Sequence, residues 1–304
     1  MISPSFLLML FAGVVPLSGQ QAAIYGRWDL TIVDGGDTYP MWLEVRPGLP
    51  VSGRVQPRGG HALPFGKTAT LEGNRLAFTM PDEPPPKAAQ VTVEADGDVL
   101  TGTLVYPGGR SARVSGKRAP TLARARSPEW LPEVDLLKNG LDDWRLRNPT
   151  GRNSWSVAGG ELVNIPPGVD LVSKRAFTDF KLHVEVNVPP GGNSGIYLRG
   201  RHEVQVQDDY GKAPGNRLMG GVYGQIQPMS LPAKPAGVWQ TFDITLIGRR
   251  VTVVLNGVTI IASQEIPGIT GGALDSDEGE PGPIMLQGDH TGVRYRNIRI
   301  TPAK

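Results

Sequence analysis

Between Gly191 and Asp208 the chain reads Gly-Gly-Asn-Ser-Gly-Ile-Tyr-Leu-Arg-Gly-Arg-His-Glu-Val-Gln-Val-Gln-Asp, and the polar residues fall at every second position. Tyr197 and Arg199 alternate with Ile196 and Leu198, and Glu203, Gln205 and Gln207 alternate with Val204 and Val206. Alternation of period two puts one set on an apolar face and the other on a polar face of a β-strand. Tyrosine, arginine, glutamate and glutamine side chains gathered on a rigid sheet surface form a platform of donors and acceptors. Such a platform suits a ligand rich in hydroxyl groups.

The two segments read as a hairpin. A three-residue loop, Gly200-Arg201-His202, pairs Leu198 with Val204, Ile196 with Val206, Tyr197 with Gln205 and Arg199 with Glu203. A two-residue loop would set Leu198 against Glu203, and a slip of one residue turns every side chain to the opposite face. The three-residue register is therefore expected, with Tyr197, Arg199, Glu203, Gln205 and Gln207 on one surface.

The elements around the hairpin are short strands. Forty glycines and 28 prolines in 304 residues, with no long stretch of 3.6-residue periodicity, point to strands and turns. Trp28, Leu30 and Ile32 alternate with polar positions, as do Met41, Leu43 and Val45, and Leu76, Phe78 and Met80. Asp96-Gly97 marks a hairpin and Pro84-Pro85-Pro86 an exposed loop. Residues 23–119 thus form a small all-β domain in which no chemistry is evident; His61, in a glycine-rich loop, reads as a surface side chain. Residues 120–133 carry prolines and no periodicity and read as a linker. From 134 to 304 a second set of strands follows. Phe180 to Val188 alternates throughout, Phe242, Ile244 and Leu246 define another strand, and Asn256-Gly257 is the strongest hairpin signal. Ile284 to Gln287 and Val293 to Ile300 complete the set. Ten or more strands without a helix predict two antiparallel sheets face to face, a jelly-roll sandwich.

Residues 1–22 stand apart. Phe6 to Leu17 is an apolar run too short to span a bilayer, and small residues from Ser18 to Ala23 offer a cleavage site. An export signal is expected despite the lack of Lys or Arg before the run, which places the mature protein in the periplasm or outside the cell, with no membrane attachment after cleavage. The absence of cysteine excludes a lipoprotein anchor and disulfides. A net charge of +2 with scattered arginines argues against nucleic acid as a partner. The oligomeric state is left open.

A series of blocks occurs in order. Leu137 to Trp144 comes first, then Gly192 to Arg199, His202 to Asp208, Gly221-Val-Tyr-Gly-Gln and Lys234-Pro-Ala-Gly-Val-Trp239. Leu255-Asn-Gly-Val258, Leu286-Gln-Gly-Asp-His290 and Tyr295 to Ile300 follow. The series resembles the 3-keto-disaccharide hydrolase domain family over residues 134–302. That resemblance implies a concanavalin A-like lectin/glucanase fold, and an exported enzyme acting on glycosides already oxidised at C3. The fold expected overall is all-β, a small N-terminal β domain followed by a concanavalin A-like jelly-roll β-sandwich.

Retaining glycosidases on this sandwich carry alternating carboxylates on one strand, one to attack and one to protonate the leaving group. Here the comparable strand reads Glu203-Val-Gln205-Val-Gln207, and amides do neither. A 3-keto sugar allows another route, because the ketone acidifies the C2 proton; one base removes it, the C1 substituent leaves and water adds back. Glu203 is the candidate base and His290 a candidate acid or base. Arg199, Lys234, Gln205 and Gln287 are candidate donors to the substrate, and Tyr197 and Tyr223 could stack on a sugar ring. Other readings compete: Arg199 and Glu203 as a simple cross-strand ion pair, His290 and Asp289 as a loop-capping pair, His183 as a solvated side chain, Tyr223 as core packing, and Asn193-Ser194 as a turn. No cofactor is called for. With four histidines a zinc site would need carboxylates from separate loops, and the acidic run Asp275 to Glu280 lacks calcium-loop spacing and reads as an exposed loop. The alternative function is a non-catalytic, lectin-like carbohydrate-binding module. A laminin-G-type protein binder would favour an exposed apolar patch instead of this polar face.

Overall fold

The computed structural model describes residues 23–65, 68–81, 87–165 and 168–304. The expected export signal at 1–22 and the triple-proline loop at 84–86 lie outside these residues. All regular structure described is β apart from one 3-10 turn at Gly140–Asp143.

The first sheet has nine antiparallel strands. Gly26–Asp34 and Ser111–Arg118 lie side by side at its centre, and each leads outward through successive hairpins. One apolar face curls around a core containing Trp28, Leu43, Val55, Leu76, Val93 and Leu104. The curl brings the two ends together, so that Phe65 near one edge stacks on Phe78 near the other, with ring centroids 4.4 Å apart.

From Val134 onward the chain builds two antiparallel sheets packed face to face. The larger has eight strands, with Phe180–Asn187 between Arg294–Pro302 and Trp239–Ile247. The smaller has five: Trp144–Leu146, Leu171–Phe177, Gly282–Leu286, Asn193–Leu198 and His202–Gln207. Alternation dictates which side chains enter the space between them. Leu182, Val184 and Val186 of one sheet meet Ile196, Leu198, Val204, Val206 and Leu286 of the other in one buried cluster. This is the jelly-roll sandwich expected from the strand pattern.

His183, expected to be solvated, is only partly exposed, and its Nδ1 lies 2.7 Å from Asp243 Oδ1. Ser194 is buried, bonded to Gln287 O at 2.8 Å and to the Tyr295 hydroxyl at 2.7 Å. It ties neighbouring strands together in place of making the turn expected of it.

Candidate active site on the outer face of the five-stranded sheet

The 191–208 hairpin forms with a register two residues away from the expected one. Leu198 pairs with His202, Tyr197 with Glu203, Gly195 with Gln205 and Asn193 with Gln207. A shift of two preserves the faces, so the polar and apolar sets stay as the alternation predicted. The cause lies in the turn. Arg201 N–H donates to Leu198 O at 3.1 Å, and φ is positive at both Arg199 (52°) and Gly200 (66°), as a type I′ turn requires. Arginine rarely enters that region of φ. Here burial of its side chain holds it, for the guanidinium donates to Gly248 O at 2.5 Å and Glu278 O at 3.4 Å. Desolvation pushes it down to about 10. Arg199 therefore belongs beneath the site and neither faces a ligand nor pairs with Glu203.

The remaining polar face opens on a cavity of about 210 Å³. Glu203 is its most unusual member. The residue is 4 % exposed, and its carboxyl lies directly over Gly195, where a Cβ would come within 2.3 Å of Oε1. Burial raises the carboxyl from an ordinary 4.5 to about 8; the Tyr197 hydroxyl and the charge on His290 oppose the rise, while Asp170 and Asp289 add to it. The local hydrogen bonds fit a protonated acid. The Tyr197 hydroxyl sits 2.9 Å from Gly271 O and 3.0 Å from Glu203 Oε2. A tyrosine has one proton and a carbonyl only accepts. When Tyr197 donates to Gly271, its contact with Glu203 is a hydrogen bond only if Glu203 carries a proton.

Beside Glu203 the amides form a ladder. Gln205 Nε2 donates to Asn193 Oδ1 at 2.8 Å and to Gln207 Oε1 at 2.9 Å, and Gln207 Nε2 donates to Asp209 at 3.2 Å. With its nitrogen so engaged, Gln205 presents Oε1, a buried acceptor without a partner among the described residues. Gln287 Oε1 is in the same condition. Both glutamines line the cavity, with these oxygens buried in its wall.

His290 lines the same cavity, its side chain 43 % exposed, with Nδ1 2.5 Å from Asp289 Oδ1. The Asp289 hydrogen bond raises the imidazole above its ordinary value, against the effect of burial, with a further upward pull from Glu203. The Asp289 carboxyl is correspondingly lowered, chiefly by the same bond. Tyr223 also lines the cavity; its backbone N–H donates to Glu203 O at 2.9 Å, and burial raises its phenol.

Of the expected residues, Tyr197, Glu203, Gln205, Tyr223, Gln287 and His290 converge on the cavity. Three do not. Arg199 is buried under the turn, and Gln207 reaches the cavity only through Gln205. Lys234 is exposed elsewhere, its Nζ donating to Trp239 O at 3.2 Å and its backbone N–H to Gln240 Oε1 at 2.9 Å. The sequence reading missed Asn193, which orients Gln205, and four glycines of the wall. Gly271 and Gly272 come from the loop between sandwich strands, and Gly59 and Gly60 from the first sheet.

That contribution from the first sheet rests on a close-packed contact. Trp42 is fully buried with Ile269 and Ala273, and a Cβ on Gly268 would come within 2.3 Å of its indole. Thr31 Oγ1 meets Ser276 Oγ at 2.8 Å, Lys117 pairs with Asp277 at 2.7 Å and Arg27 with Glu265 at 2.6 Å. The acidic 275–280 run is only in part the exposed loop expected: Asp277, Gly279 and Glu280 are exposed, and the rest packs inward. Asp275 pairs with Arg201 at 2.5 Å, and Glu278 is fully buried, held by Arg249 at 2.7 and 2.8 Å. Asp29 of the first sheet is buried beside Glu278, with neither oxygen meeting a donor among the described residues. Burial and the Glu278 charge push it up to about 10, so it stays protonated against an ionised Glu278. The 120–133 segment is fixed to the sandwich, with Arg124 bonding Asp179 at 2.6 and 3.1 Å and Arg249 donating to Pro120 O at 2.7 Å.

Among solved structures, the chain is similar to a protein of Parabacteroides distasonis ATCC 8503 described as a candidate glycosyl hydrolase. Identity is 27 %, with 59 % of this chain and 92 % of that chain covered and a TM-score of 0.49. A second protein of that organism with the same description is 22 % identical, with 56 % and 98 % covered and a TM-score of 0.46. No curated protein matches the chain. Residues 134–301, more than half of the chain, match the family model of the 3-keto-alpha-glucoside-1,2-lyase-like domain, and the chain belongs to that carbohydrate-active family.

Proposed function

We propose that the protein is an exported enzyme that cleaves the glycosidic bond of 3-keto-glycosides, 3-keto-disaccharides among them, by elimination followed by hydration. The observation that carries this reading is the pairing in one cavity of a buried carboxyl raised to about 8 with an imidazole raised by its own carboxylate partner. Glu203 in its ionised form takes the C2 proton, and the C–H electrons form an enolate with the C3 oxygen. The enolate collapses toward C1 and expels the C1 oxygen, which takes a proton from the His290 imidazolium. Water then adds across C1 and C2, its hydroxyl to C1 and a proton to C2, giving net hydrolysis. Gln205 and Gln287, which line the cavity, bind sugar hydroxyls, and the Tyr197 hydroxyl fixes the position of the Glu203 carboxyl by a hydrogen bond. A single carboxyl at this position, flanked by amides, favours this route over double displacement, which needs two.

The test is incubation of purified protein with a 3-keto-disaccharide and, in parallel, with the unoxidised disaccharide, following product by chromatography. Turnover of the oxidised sugar alone is expected, together with exchange of its C2 hydrogen in deuterated water. Saturable binding of either sugar without product would make the protein a lectin-like module and overturn the enzymatic reading.

A further inference from the structure

The family match begins at residue 134, yet one wall of the cavity comes from outside it. Gly59 and Gly60 lie on the loop after the Ser52–Gln56 strand of the first sheet, and both line the cavity that holds Glu203 and His290. The loop is built to hold its shape. Buried Gln56 donates from Nε2 to Pro57 O at 3.0 Å and to Gly60 O at 3.2 Å, spanning the loop from inside. Arg58 O accepts from Gly272 N–H at 3.0 Å, which ties the loop to the segment whose Gly271 carbonyl lies 2.9 Å from the Tyr197 hydroxyl. The fit leaves no room for side chains. A Cβ on Gly271 would fall 2.2 Å from Gly60 O, and one on Gly224, beside Tyr223, would fall 2.4 Å from His61 Cβ. Backbone against backbone on one side and a histidine over a bare glycine on the other make a fixed wall.

We propose that the first sheet is part of the substrate site: its 56–61 loop closes the cavity opposite Glu203 and sets how large a sugar unit enters. The inference rests on the function proposed above. A cavity of about 210 Å³ holds the volume of about seven waters, on the scale of one sugar ring. The 3-keto ring therefore fills it alone, and the leaving group extends outward. Without the loop, the outer face of the sandwich would be an open groove at this point, able to accept a longer chain.

Gly59 gives a direct test in the full chain. A Cβ there meets no atom within 4 Å, and its φ is not in the left-handed region, so a side chain is added without clash. Gly59→Ala and Gly59→Phe are compared with Gly36→Phe, which stands in equally open space on the same sheet and does not line the cavity. Turnover of a 3-keto-disaccharide is expected to fall slightly in G59A and tenfold or more in kcat/KM in G59F, with melting temperatures unchanged, and G36F should match the parent. A readout free of substrate accompanies it. Modification of His290 by diethyl pyrocarbonate, followed by peptide mass spectrometry, should be several-fold slower in G59F. Parental turnover in G59F overturns the proposal. Should the parent fail to act on the 3-keto-disaccharide, the reading of the function falls instead, and the rate at His290 in G59F still decides whether the loop walls the cavity.

Discussion

Replacing Glu203 by glutamine separates chemistry from stability, because the two respond in opposite directions. Glu203 titrates at about 8 in the fold against an ordinary 4.5, so the folded protein holds the proton more tightly than the unfolded chain does. The resulting stability is fully present below pH 4.5 and is lost as pH rises toward 8. With about 1.36 kcal/mol per unit, the loss between the two limits is about 5 kcal/mol. Glutamine has the shape of the protonated acid and does not titrate. Glu203→Gln should therefore melt near the parent at pH 5 and above it at pH 8, removing most of a pH dependence of that size. Its turnover should fall ~10²–10⁴-fold at every pH, the usual effect of removing a positioned proton-transfer group. In the parent, kcat should climb as pH rises through 8, because the base is the ionised form. The assays are calorimetric melting across pH 5–9 and initial rates on a 3-keto-disaccharide. A variant that keeps near-parental turnover places the base elsewhere. A variant whose melting falls with pH as steeply as the parent's shows that Glu203 is not held protonated, and the argument from burial fails.

Asp289→Asn removes the partner that raises His290, so the alkaline limb of the rate profile should move toward lower pH, as read from rates across pH 6–10. Gly195→Ala adds a methyl group where Glu203 Oε1 lies 2.3 Å away. It should displace the carboxyl and lower kcat at least tenfold, and near-parental kcat would show that the carboxyl relocates freely. Asp29→Asn replaces a carboxyl that must stay protonated beside Glu278 with an amide that donates without titrating. The melting temperature should rise at pH 8 and change little at pH 4; equal shifts at both would show that Asp29 is ionised. Trp42→Ala empties the contact with Ile269 and Ala273, and by the usual cost of such a cavity should destabilise the protein by ~3–5 kcal/mol in denaturant titration.

Period-two alternation made the faces of the hairpin legible in the sequence, and with them the membership of Tyr197, Glu203 and Gln205 in one surface. The register was not legible, because it depends on a turn that places Arg199 at positive φ. No local preference of arginine predicts that conformation. Its stabilisation comes from acceptors at Gly248 and Glu278, 49 and 79 positions away along the chain. The same distance hides the charge state of Glu203. Alternation shows that the residue faces away from the sandwich core, and an outward carboxylate reads as solvated. Here the loop at 266–281 and the first sheet cover that face, so outward from the core is still inward to the molecule. Lys234 shows the converse. Its place in one of the blocks that carry the resemblance is no guide to position, because the segment before Trp239–Ile247 runs outside the cavity.

The glycines carry the part of the site that side-chain chemistry could not announce. Gly195 leaves room for the Glu203 carboxyl, Gly271 and Gly60 let two loops meet along their backbones, and Gly224 accepts His61. Each reads in the sequence as one more turn residue in a chain rich in them. Their joint effect is to bring the first sheet against the five-stranded sheet closely enough to strip water from a carboxyl. Dehydration of this kind makes Glu203 a stronger base than an ordinary carboxylate, which is ionised at every working pH. The proposed base is thus supplied by the sandwich, and the first sheet supplies part of the wall of its cavity. A change at Gly60, which has no reacting group of its own, should therefore move the pH at which kcat rises, and not only its height.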